Sequence, residues 1–399
     1  MTCFFSLSSP VKLTLMGVCL FSLIPTLLAQ YPVSAWTQWL YLLGLIVLIG
    51  YFSLYLSTEP PFFFRLIIIL NGLLFLSVAV GFFYRLSLSL PVDKNTFVGF
   101  SNPRFISQVQ VWLYMPLAYL ILTYWPRHRR GGYGLFFVLA VSFSLCFTLD
   151  ARGALLAVNF GFLCMTIVDR AHRKQWFKMW FTGLTAGLAI SLAFFNPLPS
   201  YILDIPYEDL QVRTSSSGRI ALWLESLESL SFWGKGGGFF VCQPFDFGRP
   251  HNAVLNIWIH WGVLSLLSCF ALVWLLIKKI WCCRSVRTKA LGVNLLVGLS
   301  YSLVSGVLDS ALSQFTAVLS TAMFWASLSR SEYQSSRFRA ARHSVLMVVM
   351  LLVLVAVSYR AYLRIEQYPI EVSNDQIKEL RFKTQFWGGY NCIESPNQP

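Results

Sequence analysis

Along the chain, long apolar runs alternate with short polar breaks. The runs fall at about 13–29, 34–57, 66–84, 107–125, 132–149, 153–168, 179–195, 253–277, 290–308, 311–328 and 345–361. Runs of about 17–25 apolar residues are long enough to cross a hydrocarbon core. Backbone in lipid must pair all its polar groups, as only helices and closed barrels do. A barrel strand would show about ten residues of alternating apolar and polar character, and these runs do not alternate. The pattern therefore predicts an all-α, polytopic membrane protein with about eleven transmembrane helices, in the range ten to twelve. The first run is long and a second follows almost at once, so it reads as an anchor and not a cleaved leader. No internal repeat and no low-complexity segment is visible.

The longest polar stretch, 196–252, separates the N-terminal helices of 1–195 from the C-terminal helices of 253–361, and a short tail follows over 362–399. A connection this long in a compact protein points to a lid or binding surface. Within it, ALWLESLESLSFW places apolar residues at helical spacing with Glu225 and Glu228 on the other face, which predicts a short amphipathic helix lying at the membrane surface. Thr214 to Ser217 offer capping hydroxyls before it, and the GKGGGFF that follows should end it in tight turns.

Composition sharpens the class. Hydrophobic residues make up 56% of the 399 and charged residues only 12%. Soluble domains run at about 45–50% and about 25%. The net charge of +14 is not a nucleic-acid footprint. The basic residues sit in four short loops, around Arg127–Arg130, Arg170–Lys178, Lys278–Lys289 and Arg330–Arg342. The eleven-span reading puts all four on one side, which the positive-inside rule makes cytoplasmic. Arg360 and Arg364 then flank the last span on the wrong side. Of nine cysteines, only Cys242 and Cys392 lie on the non-cytoplasmic side, where an oxidising compartment would let them form a disulfide, though sequence does not fix their separation. No cysteine pair has metal-ligand spacing beside histidines.

Charge at the mouth of a span is costly and marks candidate function. Four residues stand out, all on the non-cytoplasmic side. Arg152, in TLDARGALL, sits at a very short hairpin, where it either pairs locally with Asp150 or serves a site. Arg219, in TSSSGRIALW, falls in the first turn of the surface helix. The helix dipole disfavours a cation there, while the same backbone N–H groups suit an anion. His251 precedes a span after Pro250, so the helix is expected to start there. The histidine either caps that helix or acts as a general base titrating near neutrality. Asp309 is a turn residue or the partner of a site arginine. Two arginines facing one site suit a diphosphate. No Gly-rich phosphate loop and no Asp-x-Asp motif occurs, so cofactor and metal are expected to be none. The residues suggest an enzyme acting on an anionic lipid-linked substrate at the outer leaflet. A lipid-linked glycan flippase or transporter is the reading from another class. Paired repeats and broken helices would favour it, and neither is visible in the sequence.

At these residues the chain resembles the O-antigen ligase and polymerase superfamily of polytopic inner-membrane glycosyltransferases. The matching stretches are TLDARG at Arg152, SGRIALW at Arg219, and PHNAVLNIWIHWG at His251, Asn252 and Gly262. FSNPRFISQVQ, with Arg104, matches more weakly. The order agrees over the central and C-terminal part of the chain, while the N-terminal spans match only in general character. The resemblance implies that 196–252 is a large periplasmic loop. It implies a glycan donor on undecaprenyl diphosphate, with Arg152 and Arg219 stabilising the leaving group. His251 would activate an acceptor hydroxyl for inverting attack without a metal. Asn252, Asp309 and Arg249 are the further expected substrate contacts. The acceptor expected first is lipid A–core oligosaccharide. A growing polymer or a protein hydroxyl are the alternatives, and the short tail leans against the protein acceptor. Membrane lipid is an expected partner and nucleic acid is not.

Overall fold

The apolar runs fold as helices, and local chemistry sets their starts. Proline stands in the first turn of several, where its missing N–H has no intrahelical partner to lose. The computed structural model describes residues 8–90, 96–100, 102–195, 197–204, 218–243, 248–328, 337–366 and 392, with side chains over 347–363 in the last helix. The predicted segments at 205–217 and 244–247, including Thr214 to Ser217, lie outside the described residues. Among those described, the chain is all-helical and no strand occurs.

In chain order the helices are α1 Ser9–Leu27, α2 Pro32–Thr58, α3 Pro60–Ser87, α4 Pro103–Gln110, α5 Tyr114–Tyr124, α6 Arg129–Thr148, α7 Arg152–Val168, α8 Arg173–Ile190, α9 Leu198–Ile202, α10 Arg219–Glu228, α11 Ala253–Cys282, α12 Val286–Ser302, α13 Ala311–Leu328 and α14 Arg337–Glu366. Every predicted run holds helix. Seven helices among the described residues are long and apolar enough to cross a membrane, or eight if the bent pair α4–α5 is one span. The protein is therefore a multi-pass membrane protein. Leu156, Phe160, Leu163 and Ile167 recur at three- and four-residue spacing along α7 and are exposed, a stripe that water would not tolerate but lipid does.

Helices pair as α1 with α11, α2 with α13 and α14, α6 with α8, and α7 with α12. Small residues set these approaches, since packing rather than water drives helix association in lipid. A Cβ at Gly298 of α12 would fall 2.1 Å from the Trp112 ring, and one at Gly187 of α8 would fall 2.4 Å from Phe143 of α6.

Two helices are broken, a feature the sequence reading did not find. The run at 107–125, expected as one span, is α4 and α5 bent by 47° at the centre of the bundle, where residues 106–118 are all buried. Polar side chains satisfy the opened backbone, as a hydrocarbon interior requires. Asn294 Nδ2 donates to the Trp112 carbonyl at 2.8 Å, Ser313 Oγ donates to the Gln108 carbonyl at 2.9 Å, and Trp112 Nε1 donates to Ser313 Oγ at 3.0 Å.

The second break is in α11, at Gly262, whose φ of 78° and ψ of 177° are non-helical and lie in a region open almost only to glycine. The Val263 N–H turns away from the helix to the Phe232 carbonyl at 2.9 Å. The carbonyls this frees, of Ile259 and His260, accept from Lys235 N at 2.8 Å and Gly236 N at 3.0 Å. The Gly-rich segment after α10 is thereby strapped onto the break. A Cβ on Gly262 would meet the Trp233 carbonyl at 2.4 Å. His260, fully enclosed in α11, completes the strap. Its Nδ1 lies 2.9 Å from the Asn256 carbonyl and its Nε2 accepts from Phe240 N at 3.4 Å.

Cys242, at the end of the strap, is disulfide-bonded to Cys392, a pairing the sequence left open. Arg360 is no surface signal. It is 1% exposed and donates to Thr37 Oγ1 of α2 at 3.2 Å, so it belongs to a helix contact and says nothing about sidedness. Lys289 Nζ donates to the Val168 carbonyl at 2.7 Å, which joins two of the basic loops at one end of the bundle. The side chain of Arg364 is outside the described ones.

Candidate functional site

The candidate residues gather at the opposite end, where α4, α7, α11 and α13 begin. α10 starts at Arg219, as expected, but its cap is Gly218 at φ 75° and no side chain caps it. Trp223, one turn on, donates from Nε1 to the Pro250 carbonyl at 2.8 Å. That bond holds α10, and Arg219 with it, against the segment carrying His251. Trp223 closes the SGRIALW stretch matched in the sequence, but no role was assigned to it there.

His251 does not open α11. The cap is Asn252, whose Oδ1 accepts from Val254 N at 2.9 Å and Leu255 N at 3.2 Å, and the helix begins at Ala253. Asn252, expected as a substrate contact, thus spends its side-chain oxygen on the helix. His251 sits just outside with a φ of 52°, a left-handed conformation that costs a non-glycine residue of order 1 kcal/mol and recurs at functional sites.

Positive charge converges on this histidine. Burial first, then Arg249, Arg104 and Arg219, push the imidazole down from its ordinary value to about 3. It is therefore neutral at physiological pH. Arg219 is half-buried, and burial followed by the charge of Arg104 lowers its own pKa, while Tyr301 acts in the opposite sense. Arg104, the weakest of the sequence signals, is thus a member of the cluster. It is the second residue of α4, and Asn102 Oδ1 accepts from its backbone N–H at 2.9 Å.

Arg249 and Asp309, both expected to touch substrate, face each other, with Nη1 2.8 Å from Oδ2. The pair ties the segment before α11 to the turn before α13. Gly306 makes room for it, since a Cβ there would meet Asp309 Oδ2 at 2.3 Å and Arg249 at 2.8 Å. The run predicted to extend to 308 ends at Ser302, and residues 303–310 form the turn that floors the site. Gln108 of α4 braces that turn. Its Oε1 accepts from Ser310 Oγ at 2.8 Å and its Nε2 donates to Ser305 Oγ at 3.4 Å. His251, Asn252, Asn256, Ser305 and Asp309 line a cavity of about 70 Å³ here. A water's share of liquid volume is about 30 Å³, so the cavity admits a hydroxyl-sized group, and a larger molecule would lie across its mouth.

Arg152 opens α7 and pairs within its own hairpin. Its Nε and Nη2 meet Asp150 Oδ1 and Oδ2 at 2.8 and 3.3 Å, the local pairing that was one of its two readings. Asp150 holds the tight turn at φ 50°. Gly153 packs on the Tyr301 ring, where a Cβ would approach to 2.9 Å, so the hairpin borders the cluster. Among the described residues no group of three or more His, Cys, Asp or Glu is placed to hold a metal ion.

No family model, no curated protein and no solved structure matches this chain.

Proposed function

We propose that this protein is an inner-membrane glycosyltransferase of the O-antigen ligase type, with about eleven spans and its site facing the periplasm. It moves a glycan from undecaprenyl diphosphate to the lipid A–core oligosaccharide. The observation that carries this reading is a neutral histidine on which the charges of Arg104, Arg219 and Arg249 act together, at the mouth of a helical bundle.

The chemistry follows from that arrangement. The donor diphosphate is an anion, and guanidinium groups match its oxygens in a planar fork. As the bond from the anomeric carbon to the diphosphate oxygen breaks, its electron pair leaves with undecaprenyl diphosphate. Arg219 and Arg104 offset that growing charge, with Arg152 at the border of the cluster. The acceptor hydroxyl attacks the opposite face of the anomeric carbon, which inverts it, and its proton passes to His251. Buried and facing uncompensated arginines, His251 is too weak a base to take that proton readily. An anionic donor offsets the arginine part of that depression while burial remains, which raises the imidazole and strengthens the base when the donor is in place. Arg249 acts here as the partner of Asp309 that positions the His251 segment.

Broken helices bear on the transporter reading, because transporters use unwound backbone to bind their cargo. In α11 the carbonyls freed at Gly262 are already bonded to Lys235 and Gly236, so the break seats the strap and offers no open ligands.

A complementation gel tests the function. The gene and its His251→Ala form are placed separately in a host that makes lipid-linked O-antigen but lacks its own ligase. A lipopolysaccharide ladder with the wild type alone supports the ligase and the role of His251. Ladders with both remove the base assignment. No ladder with either moves the acceptor to a growing polymer or a protein hydroxyl.

A further inference from the structure

At the end of the bundle opposite His251, α7 turns into α8 through the sequence VDRAHRKQWFK. The 17 residues of α7 put this turn roughly 25 Å from Arg152 at 1.5 Å per residue, so it takes no part in the site described above. Two open grooves of about 520 and about 480 Å³ meet there and share Arg173 and Lys174. The first is walled by Ile167 and Phe177, the second by Arg170 and Lys178.

The charges in this turn are not neutralised within it. Arg170, Lys174 and Lys178 follow at four-residue spacing, and like charges so placed repel. Asp169 is the single acid between residues 163 and 181. It is 3% exposed, and its Oδ2 accepts from Trp176 Nε1 at 2.8 Å and lies 3.0 Å from His172 Nδ1. Arg173 is held from behind, with its Nε donating to the Thr166 carbonyl at 2.9 Å, so the end of its guanidinium is presented at a fixed place.

Apolar surface continues from these cations along the outside of α7 and α8. Leu163 and Ile167 of α7 and Phe177 and Phe181 of α8 are each about half exposed, and the two phenyl rings are stacked at 6.4 Å with 6° between their planes. A row of cations above a flat apolar strip matches an amphiphile with an anionic head and acyl chains. Basic pockets of this kind on the cytoplasmic side of a bundle select acidic lipid head groups. We propose that the α7–α8 turn is a binding site for an anionic glycerophospholipid, with its phosphate on Arg173, Lys174 and Lys178 and its acyl chains along Ile167, Phe177 and Phe181.

Native mass spectrometry of the full chain in detergent tests this, with dioleoyl phosphatidylglycerol, dioleoyl phosphatidylcholine and inorganic phosphate as separate probes. Phosphatidylglycerol should be retained well above phosphatidylcholine, and phosphate alone should leave no adduct. Lys174→Gln with Lys178→Gln should weaken phosphatidylglycerol retention roughly fivefold for each cation removed. Lys174→Arg with Lys178→Arg should restore it, which separates loss of charge from loss of fold. Arg129→Gln with Arg130→Gln, in another basic loop, should leave it unchanged. Equal retention of the two lipids overturns the proposal, as does an equal loss from the Arg129 and Arg130 changes. Phosphate binding as tightly as phosphatidylglycerol would assign the grooves to a free anion and also overturn it.

Discussion

Around His251, Arg219 and Arg249 are drawn partly into the protein, a histidine is held neutral, and one acid is paired with one base. At the other end, Arg170, Lys174 and Lys178 stand exposed and their single nearby acid is tied to Trp176 and His172. Both ends are rich in cations, and burial separates them. A cation facing water is screened within about 8–10 Å at physiological salt and serves a neighbouring anion. One facing a desolvated cluster acts on everything in it and alters the proton affinity of its neighbours. Positive charge counted along the sequence cannot separate these cases.

The largest expected effect is on His251. His251→Ala should lower glycan transfer by roughly 10²- to 10⁴-fold, the range for loss of a positioned acid–base group, with membrane insertion unchanged on a protease-protection assay. Turnover at the wild-type rate would erase the distinction between the two ends. Next comes a contrast within the site. Arg219→Gln should cost roughly 10²- to 10³-fold in kcat, the range for losing one charge-stabilising donor. Arg152→Gln should cost clearly less, because its guanidinium is already held by Asp150. Equal losses would mean that Arg152 turns from Asp150 to the donor during the reaction.

Gly262→Ala tests whether the strap depends on the broken helix. The strained backbone alone should destabilise by about 1–3 kcal/mol, with the clash against Trp233 added, read as a lowered thermal midpoint in detergent. An unchanged midpoint would show that α11 can straighten without the strap.

A smaller effect is expected in pH dependence. His251 is depressed to about 3, so the folded protein binds its proton only near that pH, whereas an unfolded histidine does so near 6.5. Between those values the unfolded chain holds the extra proton, so this group makes folding less favourable as pH falls from about 6.5 toward 3. In the free enzyme the acid limb of kcat/KM from His251 should lie well below pH 5. Arg104→Gln removes one of the opposing charges and should move that limb upward. A limb that stays put would take Arg104 out of the cluster. Smallest is Trp223→Phe, which deletes the bond to Pro250 and should reduce transfer about fivefold, the equivalent of about 1 kcal/mol for one hydrogen bond. A loss as large as that of Arg219→Gln would make Trp223 a direct ligand contact.

What the sequence determined was whatever depends on local composition and period. Apolar runs of spanning length forced helices, because lipid leaves the backbone no other partners. The glycines after α10 marked turns, and Arg152, Arg219, His251 and Asp309 marked a candidate site, because such residues rarely stand at a membrane mouth without a partner or a ligand. What only the tertiary structure decided was pairing at long range. The helix broken at Gly262 reads as an unbroken apolar run, since the group that breaks it is a backbone carbonyl some thirty residues earlier in the chain (Phe232). The bend between α4 and α5 depends on Asn294 and Ser313, which are remote in sequence. The partners of Arg249, Arg360 and Cys242 are likewise remote. Asn252, expected as a substrate contact, also caps α11, and Arg104, the weakest of the sequence signals, has its charge act on His251. A side chain's type is written in the sequence, but its partner is set by which helices the packing brings together.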